Sequence, residues 1–373
     1  MRRFFLVAAG LILLAVASVG LFWPLRRGET DAPVTNVVPR PPALLEYRGL
    51  DSSELVSKGD TVEVVERDST VTSASPAVPD PGASREKTTM AGFSVAVKQI
   101  VNPYRVLGIF VMPNETIEIE TTFTLPGEVY TLAVEDGRAR TLEPGKWRWT
   151  APGESGVYPL LVEGPAQTMI FNVFVQTPFD NDRPILESYV IGSYEERSLR
   201  GDPRFNPPRG LIEVNEQTEE VLVSPHFTLG AFTCHQEGDP KFVALDEQLV
   251  LKLEMLLDEV NRSGIGATSF VVMSGYRTPY YNKAIGNTTR YSLHLFGRAA
   301  DIFIDEDRDG RMDDLNRDGR IDKEDARILY ELIDGMRSQS WYQPFLGGLG
   351  LYGPNGHRGP FVHVDSRGHE ARW

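Results

Sequence analysis

The chain has 373 residues, with 52 Asp and Glu against 38 Lys and Arg, a formal net charge of −14, and 41% hydrophobic residues. At roughly 150 residues per domain, this length predicts about two globular units plus tails, and the ordinary apolar content excludes wholesale disorder and a polytopic membrane protein. The acidity excludes a nucleic-acid partner: a polyanion binder needs clustered Lys and Arg, and none occurs beyond the arginines flanking the N-terminal apolar run.

Cys234 is the single cysteine, so no intramolecular disulfide can form and the compartment has to be read from targeting. Met1-Arg2-Arg3 precede an apolar run from Phe4 to Trp23, which Pro24 and Arg26-Arg27 end. As a helix rising about 1.5 Å per residue, that run spans a bilayer core. Residues 1–27 therefore read as a single-pass transmembrane helix. A cleaved signal segment is the alternative, since Ala15-Val16-Ala17 resembles a cleavage site, although Val19 to Trp23 continue the apolar run past it. Both readings export the rest of the chain.

Residues 28–90 are rich in Pro, Ser, Thr and charge and read as a low-complexity linker. Residues 91–178 hold short alternating runs (Phe93 to Ile100, Val106 to Met112, Thr116 to Phe123, Val129 to Val134, Gly156 to Val162, Met169 to Val175) separated by Pro, Gly and Asn. This pattern predicts a small all-β sandwich, similar to immunoglobulin-like accessory domains without their disulfide, with Trp147 and Trp149 alternating on one strand. Residues 179–223 form a connector. In residues 224–373, Leu249, Leu253, Leu256, Leu257 and Val260 recur at helical spacing, and a strand follows at Ser269 to Met273. Helix and strand signals alternate from there on, which predicts an α+β domain and makes the chain multidomain.

Chemistry concentrates in that last region. His294 lies seven positions before Asp301, with Gly297 between them to turn the chain into the strand carrying Asp301. In Phe361-Val362-His363-Val364-Asp365, strand periodicity puts His363 and Asp365 on one face and the two valines on the other. Two imidazoles and a carboxylate suit a catalytic zinc ion, which takes three protein ligands and leaves a position for water, but spacing alone is a modest signal.

Together, Ser274-Gly275-Tyr276-Arg277, Ser292-x-His294-x-x-Gly297-x-Ala299-x-Asp301 and the late His363-Val364-Asp365 resemble the zinc D-alanyl-D-alanine carboxypeptidase family, particularly its murein endopeptidase branch. Hedgehog signalling domains share the wider fold. The resemblance covers about residues 224–373, including the Arg372-Trp373 end. It implies Zn2+ held by His294, Asp301 and His363, and Arg277 contacting substrate or a developing oxyanion. The dipeptidase branch has a glutamate shortly before the last ligand, where this chain has Gly359-Pro360-Phe361-Val362. The proton-transfer residue is then His357, which sits where other branches carry a histidine, or Asp365 on the ligand face, whose place two positions along the strand from His363 also suits it to orient that ring.

Directly after Asp301 comes an acidic insertion, 305–325. Asp314, Asn316, Asp318, Gly319, Arg320 by its carbonyl, Asp322 and Asp325 fit an EF-hand-type Ca2+ loop, and Asp305, Asp307, Asp309 and Gly310 begin an overlapping copy. Position twelve is Asp rather than Glu, and a strand rather than a helix precedes the loop.

The combined expectation is a metallopeptidase cleaving amide bonds in peptidoglycan peptides or cross-links, anchored in the cytoplasmic membrane with its catalytic domain in the periplasm or outside the cell. The alternatives are a non-catalytic, zinc-containing cell-wall-binding module of the same fold and a calcium-dependent structural protein of the envelope.

Overall fold

A computed structural model of the protein describes residues 89–124 and 127–373. The expected membrane anchor and nearly all of the linker lie outside the described residues. Among the described residues no helix is long and apolar enough to cross a membrane.

Alternating apolar residues between 90 and 175 form nine strands: β1 (Met90–Val97), β2 (Ile100–Tyr104), β3 (Val106–Val111), β4 (Thr116–Phe123), β5 (Thr131–Val134), β6 (Arg138–Glu143), β7 (Lys146–Thr150), β8 (Gly156–Glu163) and β9 (Thr168–Val175). They make two sheets, ordered β2-β1-β4-β7-β6 and β3-β9-β8-β5. Every pairing is antiparallel except β3 with β9. Val95, Ile109, Ile119, Trp149, Phe171 and Val173 are fully buried between them, and burial of such side chains contributes about 1.5–3 kcal/mol each. Trp147 and Trp149 both face inward, which makes them core residues and leaves neither ring a surface to offer.

The expected strand Phe93 to Ile100 is in fact two. Lys98 and Gln99 both take positive φ, 50° and 67°, and make a tight hairpin turn with Val97 opposite Ile100. Such a turn normally calls for Asn or Gly. Here a distant contact holds it: Lys98 Nζ donates to Phe110 O at 2.7 Å and pairs with Glu247 Oε1 at 2.6 Å.

Glu247 begins α1 (Glu247–Arg262), whose N-cap Asp246 accepts a hydrogen bond from the Leu249 N–H. Leu249, Val250, Leu253, Leu256, Leu257 and Val260 are fully buried, as their helical spacing requires. The helix packs against β2, β3 and the short strand Leu222–Ser224. The two-sheet sandwich and the C-terminal region therefore share one continuous apolar core. Polar links cross the same junction: Tyr104 donates to Asp258 Oδ2 at 2.6 Å, and Asn172 donates to the Leu222 carbonyl at 2.8 Å. The connector is fixed as well, with the Tyr194 and Tyr276 hydroxyls 2.7 Å apart in the interior.

The C-terminal region is built on a five-stranded sheet, ordered Val271–Ser274, Ala299–Phe303, Phe361–Asp365, Gly348–Tyr352, Ala371–Arg372, with only the last strand parallel to its neighbour. Val362, Val364 and Leu349 are buried, and α3 (Lys323–Gly335) packs on the two strands that carry them. The residues alternating with these, His363, Asp365, Gly348 and Gly350, belong to the opposite face of the sheet, which carries the polar cluster.

Candidate metal centre

Each of the three expected ligands is positioned by a different local device. Gly297 ends a short 3-10 turn, Leu293–Phe296, in the left-handed conformation (φ 63°). A Cβ at that position would collide with the backbone of Ala244, so the turn that delivers the chain to Asp301 needs glycine. The turn holds His294, and the following strand sets Asp301 directly opposite His363 in the sheet register.

The side chains converge. His363 Nδ1 lies 2.8 Å from Asp301 Oδ1 and 3.2 Å from His294 Nε2, and the latter is 3.4 Å from the same carboxylate oxygen. Donor atoms around a tetrahedral zinc at bonds of ~2.0–2.1 Å stand about 3.3 Å apart, so the triangle is of the right size. The outer ring nitrogens each have an acceptor of their own. His294 Nδ1 is 2.7 Å from the Gly275 carbonyl, and His363 Nε2 is 3.2 Å from Asp365 Oδ2. Protons on those two outer nitrogens leave His294 Nε2, His363 Nδ1 and Asp301 Oδ1 as three acceptors aimed at one point. Three buried acceptors without a donor among them are unfavourable, and a cation between them removes the conflict. The residues present thus fit zinc.

Electrostatics treat the two rings differently. Burial, the largest influence on His294, lowers its pKa and favours the neutral ring. Burial also opposes charge on His363, but hydrogen bonds to Asp301 and Asp365 outweigh it and the net shift is upward. Burial works against ionisation of Asp301 too, yet the two histidines hold its carboxyl far below the usual range.

Arg277, whose guanidinium could also pair with a structural carboxylate, makes such a pair. Its Nη2 donates to Asp301 Oδ2 at 2.7 Å and its Nε to Ser274 Oγ at 2.8 Å. The guanidinium therefore orients the ligand carboxylate and presents only Oδ1 to the centre, while Nη1 has no hydrogen-bond partner among the described residues.

Asp365, one of the two candidates for proton transfer and also a candidate to orient His363, is held in the orienting position. It is fully buried, and it accepts from Gly348 N at 2.7 Å, from Arg367 Nη2 at 2.6 Å and from Arg367 Nε at 3.0 Å to both oxygens. Although burial pushes against ionisation, contacts to His363 and Arg367 keep the carboxyl charged well below the usual range. A carboxylate so saturated, behind the ligand ring, is placed to fix the orientation of His363. The supporting groups Arg367, Gly348 and Lys252, whose Nζ donates to the Asp365 carbonyl at 2.8 Å, did not emerge from the sequence; only the spacing of Arg367, two residues after Asp365, could have marked one of them.

His357 is not brought into the cluster by any contact. It stands on the exposed loop before the Phe361–Asp365 strand, its N–H on Asn355 Oδ1 at 2.9 Å, and its ring has no hydrogen-bond partner among the described residues.

The acidic insertion forms two loops of one design. Gly310 and Gly319 take φ of 83° and 84° nine residues apart, and Arg308 and Arg317 take 62° and 61°. The Asp309 N–H reaches Asp305 and Asp307, as the Asp318 N–H reaches Asp314 and Asn316. Arg311 N–H bonds Asp309 and Arg320 N–H bonds Asp318. Carboxylates of Asp305, Asp307 and Asp313 gather within 4.8 Å of one another, whereas Asp314, Asn316, Asp318, Asp322 and Asp325 form no such group. Asp325 instead caps α3, accepting from Asn316 and Asp322 N–H groups.

The model of a family described as Peptidase M15 matches residues 225–326. The matched span contains Arg277, His294 and Asp301 and ends before His363. It supports a metallopeptidase of that zinc-dependent kind over this part of the chain. No curated protein matches the sequence.

Proposed function

We propose that the chain is a zinc-dependent peptidase that hydrolyses amide bonds in peptidoglycan peptides or cross-links. The observation that carries this reading is the convergence of three lone pairs, from His294 Nε2, Asp301 Oδ1 and His363 Nδ1, on one buried point. Zinc held there supplies a water of lowered pKa, near ~7, and polarises a carbonyl oxygen. The surrounding residues do the rest. Gly275 O and Asp365 fix the two rings, Arg277 fixes the carboxylate, and its unpartnered Nη1 is available to donate to a substrate oxygen. With Asp365 saturated, the reading assigns proton transfer to His357.

The substrate class, the endopeptidase or carboxypeptidase type, the anchor at residues 1–27 and the extracytoplasmic location all belong to this proposal and rest on the sequence resemblance. Calcium in the insertion belongs to it too and rests on the EF-hand-like spacing of the sequence.

One observation favours the rival reading of a wall-binding module without turnover: the only proton acceptor left to the proposal stands on an exposed loop. Digestion of purified peptidoglycan sacculi separates the two. The peptidase releases soluble peptide fragments, stops on chelation and resumes with zinc, and a His357→Ala variant keeps its zinc but loses release. A chain that pulls down with sacculi and releases nothing is the binding module.

A further inference from the structure

Four arginines near the centre are already committed. Arg277 pairs with Asp301, Arg367 with Asp365, Arg298 with Asp246 and Arg372 with Asp334, each with a nearest N···O distance of 2.6–2.7 Å. Arg358 differs. It is exposed, its guanidinium pairs with no carboxylate among the described residues, and it lies over aromatic rings instead, 4.4 Å from the Phe361 ring centre and 5.3 Å from that of Tyr352. Those two rings stack on each other at 4.6 Å and 3°, across paired strands. A cation held over two rings is restrained in position while its charge stays uncompensated by any carboxylate.

Its position on the sheet gives this a purpose. Phe361 is two residues from His363 on the same strand, so the two side chains share a face, about 7 Å apart at ~3.4 Å per residue. Tyr352 accepts from Trp373 Nε1 at 2.6 Å, and the Trp373 ring, itself 47% exposed, packs 5.2 Å from the His363 ring. An aromatic path through Trp373 and Tyr352 therefore leads from the centre to the Arg358 guanidinium, in a chain whose net charge is −14.

We infer that Arg358 is the specificity-determining residue of this site: it binds a carboxylate of the peptide substrate, one pleat along the sheet from the scissile amide. This rests on the peptidase reading above. The carboxylate is either the C-terminal one of the peptide or that of an acidic residue within it.

The test is calorimetric binding to the full-length chain freed of metal, so that neither zinc nor turnover contributes. Two probe pairs are used: acetyl-D-alanyl-D-alanine against its C-terminal amide, and a C-terminally amidated peptide containing glutamate against the same peptide with glutamine. The native chain binds the acid of one pair about tenfold more tightly than its amide, as expected for a charge-assisted, bidentate contact. Arg358→Ala abolishes that preference, while Arg358→Lys keeps part of it. The pair that responds identifies the source of the carboxylate. Absence of an acid preference in the native chain, absence of measurable binding, or a preference that survives in Arg358→Ala overturns the inference. Sacculus digestion judges the underlying reading separately: an Arg358-dependent preference with no release sinks the peptidase and leaves a binding site, whereas release with no such preference does the reverse.

Discussion

At the scale of single residues, the centre is a problem of unpaired acceptors. Removing one of them by His363→Ala takes a ligand from a three-ligand set, and stoichiometric zinc is expected to be lost, measured by elemental analysis of the purified chain. Asp365→Asn is subtler, because the ring it orients survives; zinc affinity should fall by about 10–100-fold, read by competition with a chromophoric chelator. Unchanged affinity would mean that the 3.2 Å contact to His363 Nε2 orients nothing. The three ligands were legible because the motifs around them resemble those of a known zinc family; the turning glycine and the alternation that puts His363 opposite two valines are consistent with that set and would not have singled it out alone. For Asp365 and Arg277 the sequence left two roles open each, proton transfer or orientation for the one and substrate contact or carboxylate pairing for the other. Whether a carboxylate is free or saturated depends on donors such as Gly348 N–H, seventeen residues away, and no spacing encodes that.

Among elements, the Gly348–Tyr352 strand shows how small residues shape the site. A Cβ at Gly350 would lie 2.5 Å from Trp373 Nε1, and one at Gly348 would meet both Trp373 and the Asp365 carboxylate. Gly350→Ala is therefore expected to displace the indole and cost about 1–3 kcal/mol in denaturant unfolding; an unaffected midpoint would show that Trp373 is not seated there. Helix α1 was legible from its apolar spacing, but its polar residues were not. His226 Nδ1 is 2.8 Å from the fully buried Glu254, with Asp258 nearby on the same helix. Burial opposes a charged ring there, yet the Glu254 hydrogen bond and the two carboxylates outweigh it and raise the His226 pKa above 6.5. A group raised on folding stabilises fully below its unfolded pKa and loses that contribution as pH climbs through the folded one. The difference in Tm between the native chain and His226→Gln should thus be largest below pH 6.5 and shrink above it. A difference constant with pH would contradict the raised pKa. The hairpin at Lys98 and Gln99 was missed for a related reason, since the contacts that hold its positive φ come from Phe110 and Glu247.

For the whole molecule, the junction between the sandwich and α1 decides whether the described residues act as one body. Glu247 Oε1 accepts from Lys98 Nζ at 2.6 Å and from Phe110 N at 3.1 Å, and the space over Gly108 is filled by Val223 at 3.1 Å from where a Cβ would stand. A shared core of this kind predicts a single calorimetric unfolding transition, which Glu247→Ala shifts downward by about 1–3 kcal/mol because a buried N–H loses its partner. Two separate transitions would show the sandwich to be an independent spacer. The sequence reading treated it as separate because alternation within each strand says nothing about what the outer surface of a sheet meets. The proposed function, a zinc peptidase acting on the cell wall, rests on the convergence of His294, Asp301 and His363. Its most direct test is zinc analysis of the purified full-length chain, combined with digestion of peptidoglycan sacculi before chelation, after it, and after zinc is restored. One zinc per chain, with peptide release that disappears and returns with the metal, is the predicted result; a chain that binds no zinc, or that holds zinc and releases nothing, contradicts it.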